Sequence, residues 1–270
     1  EEMQHDTSPH IAIVANKPRR VQTASLVLCF CRMIFAQCYP RFSRFECKVF
    51  LTDALEYFGG ACGRCMIDNT HVVVLSGTGS DMVAVPEMVA FGERFGFTFV
   101  AHEVGDADRS GKVERPFHYI ENNFLAGRRF ADFDDLNTRL RTWCDQGNAT
   151  HRRHLHASPR ELFVRERAAM KPLPIHVPEV YALHHRIVGG EGYVHLHLNR
   201  YSVPYQLIDR RLEIRETKNE LVLFDGPRIV VTYRRELDGA GVCVTTPSHR
   251  PPRGQGVLRK IERFPKPVIA

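Results

Sequence analysis

Apolar and polar positions alternate in the first third of the chain, then recur at helical spacing. Met3 to Ser8 and Arg20 to Phe30 carry the β-rich, partly alternating pattern of strands, with the polar Asn16-Lys17-Pro18-Arg19 between them as a turn. Met33 to Tyr39 is a third apolar run, and three short strands in succession predict an antiparallel meander. From Arg44 to Phe58 the apolar residues Phe45, Val49, Leu51, Ala54, Leu55 and Phe58 recur at helical spacing, and Gly59-Gly60 ends the run as a C-cap. Cys65 to Asp68 reads as a short buried strand, Pro86 to Phe95 as a helix closed by Gly96, and Phe97 to His102 as a further strand. Gly111 to Leu125 predicts a helix with one apolar stripe of Val113, Phe117, Ile120 and Phe124. The order β-β-β-α-β-α-β-α belongs to an α/β domain with a mixed sheet.

Asp132 to Cys144 is another amphipathic helix, and Ser158-Pro159-Arg160-Glu161 starts one more with a capping residue, a first-turn proline and a glutamate. Lys171-Pro-Leu-Pro174 and Pro178 then break the chain. Beyond them Tyr193–Leu198, Arg200–Pro204, Arg211–Glu216, Glu220–Phe224 and Arg228–Tyr233 are short strands separated by turn residues, enough for a small barrel or sandwich. The expected organisation is a catalytic-type α/β domain over 1–150, a helical linker over 151–178, a small β-barrel over 179–240 and a basic, proline-rich tail over 241–270. That tail is expected to be disordered or to order on a partner.

Charge divides along the same lines. Residues 1–150 hold 16 Lys and Arg against 19 Asp and Glu, a balance of −3, whereas 151–270 hold 21 against 12, a balance of +9. A basic module beside a mildly acidic one suits a polyanion-binding domain attached to a carboxylate-based, metal-binding one; ordinary solvated charge is the plain alternative. The longest apolar stretches, such as Ser25 to Phe30, fall far short of the ~20 residues of a membrane-spanning helix. The first residues have neither the basic start nor the apolar core of a signal peptide. A cytoplasmic chain cut from something longer is the expectation. Eight cysteines in 270 residues, mostly in apolar segments, are expected as reduced, buried thiols. Cys62-Gly-Arg-Cys65 has metal-like spacing, but a structural zinc site needs a second pair that Cys29, Cys31, Cys38 and Cys47 do not supply.

Three carboxylates stand apart. Asp6 lies within the first strand, where a buried charge is costly without a partner or a metal. Asp68 ends the Met66-Ile67 strand, and Glu114 opens the helix that begins at Gly111. Oxygen-only ligands from two strands and one helix suit a hard divalent cation and phosphoryl transfer. Taken singly, each has a plainer reading, as an edge residue, a turn cap or a helix N-terminal acid. Glu121 is the rival third carboxylate.

The phrases Gln4-His5-Asp6, Met66-Ile67-Asp68-Asn69 and Gly111-Lys112-Val113-Glu114-Arg115 are similar to the DDE catalytic core of the retroviral-integrase superfamily. With Gly192-Tyr193-Val194 and Asn199-Arg200-Tyr201-Ser202-Val203-Pro204 they resemble the IstA-type transposases of bacterial insertion sequences, over about residues 1 to 240. The resemblance implies a ribonuclease-H-like α/β domain, with a mixed sheet and flanking helices, followed by the small all-β barrel. It implies a transposase that cuts the ends of its element and joins the freed 3′-OH groups to target DNA. Asp6, Asp68 and Glu114 would be its catalytic and metal-binding triad, holding two Mg²⁺ or Mn²⁺ ions. It further implies an ATPase helper protein, a homo-oligomer on DNA, and N-terminal helix-turn-helix domains; this chain is expected to begin within the catalytic core.

Around the triad, Asn69, Lys112 and Arg115 are candidate DNA contacts, as is His71, with solvated loop or helix-end roles as alternatives. In the basic part, Arg200, Arg210, Arg211 and Arg215 alternate with Tyr193, Tyr201 and Tyr205, a pattern suited to tracking a nucleic-acid backbone. His184, His185, His195 and His197 are read as surface histidines. Two other functions stay open: a ribonuclease-H-like nuclease that hydrolyses without joining, and a truncated, non-catalytic DNA-binding remnant.

Overall fold

The computed structural model describes residues 2–68, 71–101, 117–236 and 239–251. Two units are resolved by their internal contacts, Glu1–Val180 and Tyr181–Ala270.

The first unit is built on a mixed sheet. β1 (Glu2–Val14), β2 (Lys17–Leu28) and β3 (Ile34–Tyr39) form the expected antiparallel meander, and β4 (Arg64–Ile67) and β7 (Thr98–Ala101) add to it in parallel, in the order β3-β2-β1-β4-β7. The first hairpin is longer than its alternation predicts. β1 continues through Pro9 to Val14, and Ala15-Asn16, both at positive φ, make a two-residue turn of the twist that hairpins favour. Pro9 is tolerated because β4 pairs with β1 only as far as His5, and β8 (Arg129–Phe130) only from Ile13, so one side of the strand is open there.

Each face of the sheet carries its own core. Met3 from β1 and Ala24, Leu26 and Leu28 from β2 meet α1 (Arg44–Phe58) and α2 (Pro86–Phe95). Ala12 and Val14 of β1 and Val21 and Val27 of β2 meet α3, helical at 117–120 and π-wound over Glu121–Leu125, and α4 (Phe133–Ala149). Ser43 and Glu46 close a capping box at the start of α1, and Gly59 and Gly96 end α1 and α2 in the left-handed conformation. A small hairpin, β5 (Val74–Ser76) with β6 (Val83–Ala84), stands between β4 and α2.

Two asparagines of α4 hold the free edge of the sheet. Asn137 accepts from Cys38 N at 2.7 Å and donates to Cys38 O at 3.0 Å, while Asn148 accepts from Ile34 N at 3.0 Å and donates to Ile34 O at 2.8 Å. Set three helical turns apart, they satisfy the backbone groups that an edge strand would otherwise offer to another chain. α5 (Pro159–Arg167) is tied down through Glu166, which is fully buried and accepts from Cys31 N at 2.9 Å. Leu162, Phe163, Met170, Leu173 and Val177 pack against the first core.

The second unit has two sheets. β9 (Ala182–Ile187), β12 (Arg211–Glu216), β13 (Glu220–Asp225) and β14 (Arg228–Arg234) form an antiparallel sheet in the order β14-β13-β12-β9. β10 (Tyr193–Leu196), β11 (Asn199–Ser202) and β15 (Cys243–Val244) form the other. Both bury residues in one core, among them Val194, Leu196 and Tyr201 from the smaller sheet and Leu212, Ile214 and Leu221 from the larger. The expected barrel does not close: seven strands split into two sheets with separate edges. Part of the basic tail is described, including β15 and a 3₁₀ turn at Pro247–His249 whose His249 bonds Ser202 Oγ at 3.0 Å; residues 252–270 lie outside the described residues.

No disulfide forms among the eight cysteines, and burial pushes the Cys38, Cys47 and Cys144 thiols up to about 12. Among the described residues no helix is long and apolar enough to cross a membrane.

Candidate active site

Strand register aligns the two segments that lead into Asp6 and Asp68. β1 and β4 run parallel with Gln4 opposite Met66 and His5 opposite Ile67. Asp6 and Asp68 are the next residue on each strand, one step beyond the last paired positions. Adjacent strands lie about 4.8 Å apart, and residues at matched register in a parallel pair project to the same face. Asp6 is half-buried and accepts from Thr7 N at 2.6 Å; Asp68 is exposed at the strand end.

The face follows from alternation. Met3 and His5 point to the α1 side, whereas His10, Ala12 and Val14 point to the α3 side, so Asp6 belongs with the latter. Opposite Asp6 on β2 is Ser25, whose hydroxyl is buried without a hydrogen-bond partner among the described residues. The Asp6 carboxylate and the Ser25 hydroxyl are oxygen donors of the kind that a hard cation and its waters take.

The α3 end of the site rests on His10. Its Nδ1 lies 2.9 Å from Thr23 Oγ1, and its ring meets Phe117 at 6.1 Å, which places the described start of α3 over β1 two same-face positions from Asp6. Burial lowers the His10 pKa, and the Glu121 carboxylate opposes that shift. Glu121, the rival third carboxylate, is thus a neighbour of His10, farther along the strand than Asp6. Glu114, Lys112, Arg115 and Asn69 lie outside the described residues. His71 sits exposed in the turn before β5.

On the opposite face His5 locks β1 beneath the site. It is buried between Phe50 and Phe42 at ring distances of 5.1 and 5.9 Å, donates from Nδ1 to Ser25 O at 3.0 Å, and has Cys47 Sγ 3.8 Å from Nε2. Burial lowers its pKa to about 4, against the raising effect of the Ser25 carbonyl, so the ring is neutral at pH 7. Beside it, Thr7, Arg20, Gln22, Arg41 and Phe42 line an open groove of about 340 Å³. Arg20 and Arg41 escaped the sequence reading because they sit far apart in the chain, with no local pattern to join them.

In the second unit Arg211 and Arg215 share the outward face of β12 with Glu213 between them, and Arg215 stacks on Tyr181 at 4.5 Å. Arg210 is ion-paired with Asp225. Arg200 projects from β11 toward Tyr193 and Glu191, on the other sheet. The core separates Arg200 from the β12 pair, so the four do not form one patch. Tyr193, Tyr201 and Tyr233 are buried.

Comparison with known proteins bears on both units. Residues 173–245 match the family described as Mu transposase, C-terminal domain. Over 259 residues the chain is 27% identical to the transposase for insertion sequence element IS21 of Pseudomonas aeruginosa, which covers 95% of this chain and 66% of that protein. Along most of its length the chain is thus similar to an IS21-type transposase. A second relative, the transposase for an IS21-like element of Bacteroides fragilis, is 26% identical over 219 residues, or 78% of this chain and 42% of its own length. The chain therefore spans from under half to about two thirds of the length of these two relatives. Among solved structures it resembles the HTLV-2 integrase catalytic core domain in complex with magnesium, with a TM-score of 0.45 and 14% identity over 60% of this chain and 95% of that one.

Proposed function

We propose that the chain is the catalytic core of a DNA transposase, cutting the ends of an insertion element and joining the freed 3′-OH groups to target DNA. The observation that supports this reading is the parallel β1–β4 register that ends one residue before Asp6 and Asp68, in a chain similar to IS21-type transposases. Glu114 is the proposed third member of the triad. These oxygen donors suit two Mg²⁺ or Mn²⁺ ions, which when bound supply charge neutralisation at the phosphorus and activation of the attacking oxygen.

What the chain itself does is positional. The β1–β4 pairing aligns the segments that lead into the two carboxylates, the Thr7 amide orients Asp6, and neutral His5 holds the strand from below. Asn69, Lys112 and Arg115 are proposed to meet phosphates beside the triad. Arg200, Arg210, Arg211 and Arg215 would add DNA contacts from the 179–240 module, with 151–178 as the helical connection and the basic tail after 240 ordering on a partner. A homo-oligomer on DNA and an ATPase helper complete the proposed machinery.

The test is Mg²⁺-dependent nicking and joining of labelled DNA from the ends of the element. Asp68→Asn should abolish both while leaving DNA binding intact or stronger, because it removes negative charge near phosphates. Nicking without joining would mean a nuclease, and binding without either reaction a DNA-binding remnant. Undiminished nicking by the variant would place the active site elsewhere.

A further inference from the structure

The second unit contains a cluster that the proposed reaction does not use. His184 of β9, Glu216 of β12 and His197 of the β10–β11 turn converge from three separate segments. His184 Nε2 lies 2.7 Å from Glu216 Oε2, and His197 Nε2 lies 2.9 Å from both carboxylate oxygens. The donor atoms all fall within 4.8 Å of one another. Glu216 is 1% exposed, His197 11% and His184 21%, so the group is buried on the carboxylate side and open on the imidazole side. Arg235 Nε stands 2.6 Å from Glu216 Oε1.

Charge neutralisation does not explain the two histidines. The Arg235 guanidinium already balances the buried carboxylate. His197 is moreover held at a cost. Leu196 pairs with Asn199, so His197 and Leu198 are the two central residues of a two-residue hairpin turn, at φ 51 and 67. That turn favours Asn-Gly, and a bulky residue at positive φ is strained there. Leu198 is 80% exposed and gains nothing from burial in return. The strain does, however, bring the His197 imidazole to the same carboxylate as His184.

We propose that His184, His197 and Glu216 form a binding site for a transition-metal ion of the zinc type. Two imidazoles and a carboxylate with one position left to solvent are a zinc donor set, whereas Mg²⁺ prefers oxygen alone. Bonds of about 2.0–2.2 Å are reached by small movements of the two rings as the ion takes the place of the hydrogen bonds they share with the carboxylate. Glu216 ligates through Oε2 while Oε1 stays on Arg235, the kind of outer partner that orients a ligating carboxylate. The ion ties the larger sheet to the turn of the smaller one and is separate from the carboxylates of the proposed active site.

The probe is Co²⁺ added to the full chain after treatment with EDTA. The expected result is one equivalent bound, with the visible absorption of tetrahedral cobalt, bleached by one equivalent of Zn²⁺. Asp68→Asn should leave this signal unchanged. His184→Gln and His197→Asn should each weaken binding at least tenfold; Asn suits the left-handed turn, so the second variant keeps the hairpin. Zn²⁺ should also raise the unfolding midpoint of the parent chain and not of the variants. Absence of the band, its survival in both variants, or a thiolate-to-cobalt charge-transfer band that moves the ion to cysteines would each overturn the assignment.

Discussion

Replacing Asn148 by Ala should cost the first unit much more than an exposed asparagine on the same face of the chain would. Asn148 is fully buried near the end of α4, and its amide serves Ile34 N and Ile34 O of β3 at 3.0 and 2.8 Å and accepts no substitute from a neighbouring strand, since β3 is the sheet edge. Truncation leaves two buried backbone groups without partners, at roughly 1–3 kcal/mol each. Tyr57 loses one bond to Asn148 but keeps its donation to Asp145 at 2.6 Å, so it adds little. The expected loss is about 2–5 kcal/mol, a fall in Tm of roughly 5–15 °C for a unit of this size. Asn148→Asp keeps the acceptor for Ile34 N, removes the donor to Ile34 O and buries a charge. Its carboxyl pKa is raised in the folded state, so this variant regains stability as the pH falls toward 4. Urea unfolding at pH 5 and pH 7.5 reads both effects, with Asn123→Ala as the control because that exposed side chain bonds only Tyr119 O. A loss in Asn148→Ala within about 0.5 kcal/mol of the control would refute the edge-clamp account.

Other consequences are as direct. A Cβ on Gly60 would stand 2.6 Å from Lys171 O, so Gly60→Ala should break the Ala61–Lys171 bridge and lower the unfolding midpoint in urea, whereas Gly63→Ala, which meets nothing, should not. Burial lowers the pKa of both His10 and His249, so the unfolded chain binds more protons on these groups; stability should fall as the pH drops below about 6.5, and His10→Gln should reduce that dependence in a pH series of unfolding curves. Arg211→Ala should flatten the plot of log binding constant against log salt for duplex DNA by about one unit, as for one neutralised phosphate, and Arg210→Ala by less, because Arg210 is held by Asp225. Fluorescence anisotropy across a salt series measures both.

The parts of the fold that were legible are those whose apolar pattern is set by burial on one known side. The meander, α1, α2, β4, β7 and α4 all carry it, and Gly59 and Gly96 mark two helix ends without ambiguity. β9 escaped detection because Ala-Leu-His-His-Arg-Ile shows no apolar alternation: at the sheet edge it is largely exposed on both sides. The length of the first hairpin was hidden by Pro9, which reads as a breaker but sits where β1 has one open side. Asp6 and Asp68 could be chosen from residue type and a family likeness, yet the β1–β4 register that leads into them is encoded by no local pattern. The histidine cluster was passed over for a similar reason. His184 and His197 look like surface residues in the chain, and only the packing of two sheets around Glu216 joins them.

The most direct test of the central claim is a double-mutant cycle on Asp6 and Asp68, read as Mg²⁺-dependent strand cleavage of element-end DNA. If the two carboxylates act as one metal-holding pair, Asp6→Asn and Asp68→Asn should each remove cleavage to background, and the double variant should be no worse than either single one. DNA binding should persist in all three. Cleavage that survives either single substitution, or losses that multiply in the double variant as for independent groups, would contradict the claim that Asp6 and Asp68 form one metal-holding pair.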